Sequence, residues 1–262
     1  MGIYDREYYR HVQRPGLARF APRSMVVTLI VINVAIWLID GLFLNGLCKG
    51  MAVHVSTLTH PLDWWQFLTA GFAHSPNAVG HILVNMLVLY MFGRDIEDTY
   101  GPREFLAVYL VAIVVANLGW TVVNRLLGTP GDTPAYGASG AITAILILYA
   151  LNFPKRTILA FFVLPMPAWL FGVFCVALDM FGAIGGESNT HVAYINHLSG
   201  AAFAFLYYEQ RWSFTRLAQS LHWPKFSFRR KPRLKVHQPD REEEGELSQE
   251  VERILEKITR EG

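Results

Sequence analysis

Six apolar blocks, each bounded by charged residues or proline, restrict what this chain can fold into more than any other feature. They fall at about 25–45, 80–98, 104–125, 137–153, 158–180 and 192–210, the second and fourth being short. A helix needs about 20 residues to cross a hydrocarbon core about 30 Å thick, and blocks of this length without two-residue alternation read as helices, not barrel strands. At 52% hydrophobic and 17% charged residues, the chain is too apolar for an ordinary soluble domain. The expected fold class is all-α, a polytopic membrane protein of six spans. A basic leader over 1–24 precedes a six-span domain over 25–212, and a tail over 213–262 follows.

Lys and Arg set the expected orientation. Arg6, Arg10, Arg14, Arg19 and Arg23 precede the first block, Arg94 and Arg103 follow the second, Lys155 and Arg156 follow the fourth, and Arg211, Arg216, Lys225 and Arg229 to Lys231 follow the sixth. The opposite connections hold only Lys49 and Arg125. Both termini are expected in the cytoplasm, with the protein in the cell (inner) membrane. The first block follows a polar leader and lacks a small-residue cleavage site, so it reads as a retained span, and Asp5 and Glu7 are unlike a transit peptide. The basic residues are accounted for by topology and lipid headgroups, which leaves no nucleic-acid partner to invoke. Two cysteines, Cys48 and Cys175, supply neither a disulfide framework nor a thiolate metal cluster, and no cofactor is expected.

The connection 45–79 is long and rich in Trp64, Trp65, Phe67, Leu68 and Phe72, so it is expected to fold on or into the outer leaflet. His54, His60 and His74 within it match no metal-ligand spacing and read as interfacial histidines. Pro165 and Pro167 should bend or loosen the fifth span, and Gly182 to Asn189 should form a flexible loop. In the tail, Leu247, Val251, Ile254, Leu255 and Ile258 recur at helical spacing, which predicts a short amphipathic helix starting near Ser248.

Three polar sites interrupt the apolar blocks. His81 and Asn85 stand four apart on one face of the second span, where two polar groups facing lipid would be costly. Ser139 lies between glycines in Gly137-Ala138-Ser139-Gly140 at the start of the fourth. His197 directly precedes a small-residue stripe, Gly200 and Ala204, on the sixth. Measured from the cytoplasmic stop of each span at about 1.5 Å per residue, the three sites sit roughly 18–22 Å deep, on the order of 10 Å below the outer surface. Small-residue packing and an interhelical clasp could each explain one site in isolation. Together they supply a nucleophile, a base and oxyanion donors. No carboxylate lies at that depth on these three helices, which suggests a Ser–His dyad.

In these residues the chain resembles the rhomboid intramembrane serine proteases. Gly137-Ala138-Ser139-Gly140 matches the family's nucleophile motif, His81-x-x-x-Asn85 its second-helix oxyanion pair, and His197-x-x-Gly200 its base. The likeness covers about residues 20–212 and includes the six-helix order and a membrane-dipping first loop. It implies that Ser139 attacks the scissile carbonyl, that His197 moves the proton, and that the Ser139 amide, His81 and Asn85 hold the oxyanion. It also implies single-pass transmembrane proteins as substrates, with membrane lipid as the surroundings; the oligomeric state is left open. The sequence departs from the family where Trp65-Gln66 replaces a Trp-Arg pair, and where Ala204 replaces a second glycine. Two alternatives stand beside the protease reading. One is a catalytically inert rhomboid-like protein that binds membrane clients; the other is a transporter, for which the sequence shows no repeated pair of interrupted helices.

Overall fold

The computed structural model describes residues 24–160, 163–185, 191–220 and 241–261. Of the leader expected over 1–24, residues 1–23 lie outside them. Six helices form a bundle: α1 (Met25–Ile39), α2 (Val79–Tyr100), α3 (Pro102–Leu126), α4 (Ser139–Asn152), α5 (Ala168–Gly185) and α6 (His191–Glu209). Three segments, Met25–Leu44, Val79–Tyr100 and Pro102–Leu126, are long and apolar enough to cross a membrane; α4 and α5 are shorter apolar helices. A short helix, α7 (Phe214–Ser220), ends this unit, and α8 (Arg241–Glu261) belongs to a second, separate unit.

Helix α4 is the centre of the bundle. It is apolar on every side and buries ten of its residues, from Gly140 to Ala150, as a helix enclosed by others must. The even-numbered helices run in the same direction. The His81 ring of α2 lies against Gly137 at the start of α4, and Phe92 meets Tyr149 two to three turns later with ring centroids 4.8 Å apart. At the far end Asn152 donates to the Tyr100 hydroxyl at 3.0 Å, and the Tyr100 ring meets Tyr207 of α6 at 5.8 Å.

Buried carboxylates fasten the ends of elements, because the first amides of a helix have no partner within it. Glu97 accepts from Ser24 Oγ and the Met25 amide, each at 2.6 Å, and from the Val26 amide at 3.2 Å. Asp40 accepts from the amides of Gly46 and Leu47, each at 2.7 Å, and of Cys48 at 3.1 Å. Glu104 accepts from the Tyr207 hydroxyl at 2.8 Å, the amides of Phe214 and Thr215 at 2.6 and 2.8 Å, Thr215 Oγ1 at 2.5 Å and Ser213 Oγ at 3.2 Å. Residues 213–220 therefore pack on the bundle, which extends beyond the boundary at 212 expected from hydropathy.

Four local expectations are corrected. The fifth block does not begin as helix at 158: β3 (Thr157–Ala160) and β4 (Leu164–Pro167) form an antiparallel ribbon, and helix starts only at Ala168. Pro165 and Pro167 lie in β4, where a missing amide is tolerated on a two-stranded edge, and do not bend α5. Helix also continues through Gly185, so Gly182 is no loop residue; a Cβ there would strike the Tyr194 ring. Residues 186–190 of the expected loop lie outside the described residues. The tail helix begins at Arg241, not Ser248.

The connection 45–78 is built and anchored. Short helical turns at Leu47–Gly50, Val55–Thr59, Pro61–Asp63 and Gln66–Phe72 alternate with β1 (Val53–His54), which pairs with β2 (Pro134–Ala135). Val53, Val55, Phe67 and Ala70 form a small core with Trp120 and Ile195, while Trp64 and Trp65 stay exposed. Thr57 Oγ1 donates to Gln66 Oε1 at 2.8 Å, so Gln66 fastens the loop by a neutral hydrogen bond.

Candidate active site

Gly137 creates the approach to Ser139. Its φ of +132° is a conformation that disfavours a side chain, and a Cβ would fall 2.9 Å from His81 Cε1 and 3.9 Å from Ser139 Oγ. Its amide donates to the Ala70 carbonyl at 2.9 Å, which ties the turn to the loop. Ser139 then opens α4, where amides have no intrahelical acceptor and the dipole favours negative charge. The hydroxyl is half-buried, and among the described residues it has no hydrogen-bond partner.

The sixth helix meets this point closely. A Cβ at Gly200 would collide with the Gly140 carbonyl, and one at Gly140 would strike Ala116 and the Asn196 side chain. Ser139 stands one residue and His197 three residues before that contact on helices running the same way, about 1.5 and 4.5 Å along their axes. Asn196 Nδ2 donates to Asn117 Oδ1 at 3.2 Å, and Asn117 Nδ2 donates to the Phe67 carbonyl at 2.9 Å. This chain fastens the helix bearing His197 to α3 and to the loop. Ala204, one turn beyond Gly200, is fully buried, so the small-residue stripe packs as its pattern predicts.

His197 has a partner that hydropathy did not point to. Its Nδ1 lies 3.0 Å from Oδ1 of Asp179 on α5, with both side chains largely withdrawn from solvent. A ring that donates Nδ1–H to a carboxylate leaves Nε2 free to accept a proton. Asp179 lies on α5, outside the three helices that carry His81, Asn85, Ser139 and His197. The signal available was Asp179 itself, a lone carboxylate within an apolar run.

His81 and Asn85 occupy the same face of α2 toward this point, His81 half-buried and Asn85 buried. Asn85 Nδ2 lies 3.1 Å from Nε2 of His74, and the His74 and His81 ring centroids are 5.3 Å apart. His74 is fully buried, which corrects its reading as an interfacial histidine; His60 is exposed and His54 only half-buried. Burial, and then the neighbouring His81, holds the His74 imidazole down at about 4. Among the described residues no group of three or more His, Cys, Asp or Glu is placed to hold a metal ion.

A bundle of apolar helices that gathers a serine at a helix start, two histidines and a carboxamide around one glycine-lined point defines a membrane-embedded protein with a buried polar centre. Residues 61–211 match the Rhomboid domain, more than half of the chain, and the chain belongs to the rhomboid family. It is similar to RHOMBOID-like protein 12, mitochondrial, of Arabidopsis thaliana, 28% identical over 77% of this chain and 63% of that protein. Rhomboid protein 1, mitochondrial, of Saccharomyces cerevisiae is 28% identical over 79% of this chain and 59% of its own length. The human presenilin-associated rhomboid-like protein, mitochondrial, is 35% identical over 53% of this chain and 36% of its own. The chain thus spans less than two thirds of the length of these relatives, which are organellar by name.

Proposed function

We propose that this chain is an intramembrane serine endopeptidase that cleaves transmembrane segments of single-pass membrane proteins. The observations that support this reading are the close approach of Gly140 and Gly200, one residue after Ser139 and three after His197, and the Asp179 carboxylate that holds His197 at Nδ1. Ser139 Oγ attacks the scissile carbonyl carbon as His197 Nε2 takes its proton. The carbonyl oxygen becomes an oxyanion held by the Ser139 amide, His81 and Asn85. Collapse breaks the C–N bond, and His197 gives its proton to the leaving amine. A water deprotonated by His197 then attacks the acyl ester, and Ser139 leaves reprotonated. Asp179 accepts from Nδ1 and keeps the ring in the productive tautomer, so the proton-transfer pair is Ser139 and His197 with a third group orienting the base.

The catalytic domain in this reading begins at Met25, lies in the cell membrane among lipid, and has both termini on the cytoplasmic side, as the Lys and Arg distribution implies. The test is cleavage of a single-span substrate by the purified protein, with fluorophosphonate labelling of Ser139. Wild type should cleave and be labelled, and Ser139→Ala should do neither. A folded wild type that is not labelled and does not cleave any of a panel of single-span substrates would instead support an inert binder of membrane clients.

A further inference from the structure

We infer that His74 is a positioning residue: from the first loop, its imidazole fixes the Asn85 carboxamide and backs the His81 ring, setting both side-chain donors toward Ser139. This rests on the reading of His81 and Asn85 as oxyanion donors. A carboxamide nitrogen only donates, so at 3.1 Å the His74 Nε2 accepts and the ring proton sits on Nδ1. Nδ1 points toward the Phe72 carbonyl without reaching standard hydrogen-bond geometry, which leaves Nε2 as the partnered nitrogen of a fully buried ring. The terminal torsion of an asparagine is broad and roughly two-fold. Engaging one N–H removes that freedom and fixes where the other points.

The loop can impose this because it is itself pinned around His74. The Ala70 carbonyl accepts the Gly137 amide at 2.9 Å, and the Ser75 carbonyl accepts Trp37 Nε1 at 3.1 Å. Gly71 is pressed so closely on Ile113 that a Cβ would fall 2.5 Å from that side chain. A segment held to α1, α3 and the turn before α4 thus delivers one imidazole to the two polar residues of α2. Its contribution is preorganisation, which matters for a charge that develops only in the transition state.

The test is a set of variants assayed on a single-span substrate. His74→Phe retains a ring but removes the acceptor, and kcat should fall on the order of 10- to 100-fold with KM little changed. His74→Gln, whose Oε1 reaches the same region, should restore most of kcat. In the Asn85→Ala background, His74→Phe should cost less than 3-fold more, because the group it positions is gone. An unchanged kcat for His74→Phe, or a full multiplicative loss on top of Asn85→Ala, overturns the inference. If His74→Phe does not fold, His74→Gln decides: wild-type kcat supports the acceptor role and a 10-fold or larger fall refutes it. Failure of the underlying reading looks different, since Asn85→Ala alone would then leave kcat intact while Ser139→Ala is inactive.

Discussion

Gly200→Ala should disable the site without touching any polar group. A Cβ at Gly200 would lie 2.9 Å from the carbonyl carbon of Gly140, closer still to its oxygen, and 3.5 Å from its Cα. Carbon atoms rest at about 3.5–4.0 Å, so α6 must retreat from α4 by roughly 1 Å. The obstacle is backbone on a central helix, so no side chain can rotate away. Overpacking of this kind costs about 1–3 kcal/mol, and a 1 Å displacement of reacting groups can cost about 100-fold in rate. Because His197 stands one turn from Gly200 and Ser139 next to Gly140, the retreat separates nucleophile from base. Cleavage of a single-span substrate would be measured beside thermal unfolding in the same detergent. Gly80→Ala is the matched control, since a Cβ there meets nothing within 4 Å. A folded Gly200→Ala protein turning over at close to the wild-type rate would refute the argument that this contact sets the Ser139–His197 geometry.

Asp179→Asn should lower kcat more than it alters KM, because an amide can donate to Nδ1 and favour the wrong tautomer; unchanged kcat would remove Asp179 from the mechanism. The Ser139→Ala, His197→Ala double variant should be little slower than either single one, and multiplicative losses would show that the two do not act as a unit. Glu104→Gln should destabilise the bundle by about 2–4 kcal/mol, read from unfolding in detergent, since charge-assisted bonds to two amides and three hydroxyls are weakened at once. His74 makes stability depend on pH. Its ring, facing His81 and Asn85, stays neutral in the fold down to about 4, whereas the unfolded chain takes up a proton near 6.5. Stability should therefore fall by roughly 3 kcal/mol as pH drops from about 6.5 to about 4, and His74→Gln should lose that slope.

Ser139, His81, Asn85 and His197 were legible in the sequence because each is a polar residue where apolar periodicity leaves no place for one. The same signal was present at Asp179 but carried no partner, since α5 and α6 meet through a contact that spacing along one helix cannot reveal. His74 lies in a segment without periodicity, in which Ser75, Gly71 and Ala70 are held by Trp37, Ile113 and Gly137 from three distant elements. The ribbon of β3 and β4 was hidden by composition: Thr157 to Leu164 is apolar enough to extend a span, and the pairing of Thr157–Ala160 with Leu164–Pro167 is what distinguishes it. The all-round apolarity of α4 agrees with its central place, whereas the carboxylate anchors left no such mark, because Glu97 and Glu104 read locally as ordinary members of a charged turn.

Those two acids bear on the order in which the molecule is completed. They stand four residues before and three after Gly101, whose φ of +84° turns α2 into α3, and from that corner one holds Met25 and the other holds Thr215, 72 and 111 residues away in the chain. Contacts of such high sequence separation close late, after most chain entropy has already been lost. Both margins of the bundle thus converge on one hinge-like corner, and the final seal of the domain waits for residues around 215 to emerge from the ribosome. A chain stopped just after α6 would retain every reacting group and the Tyr207 bond to Glu104, yet lose the four bonds that residues 213–215 add to that carboxylate.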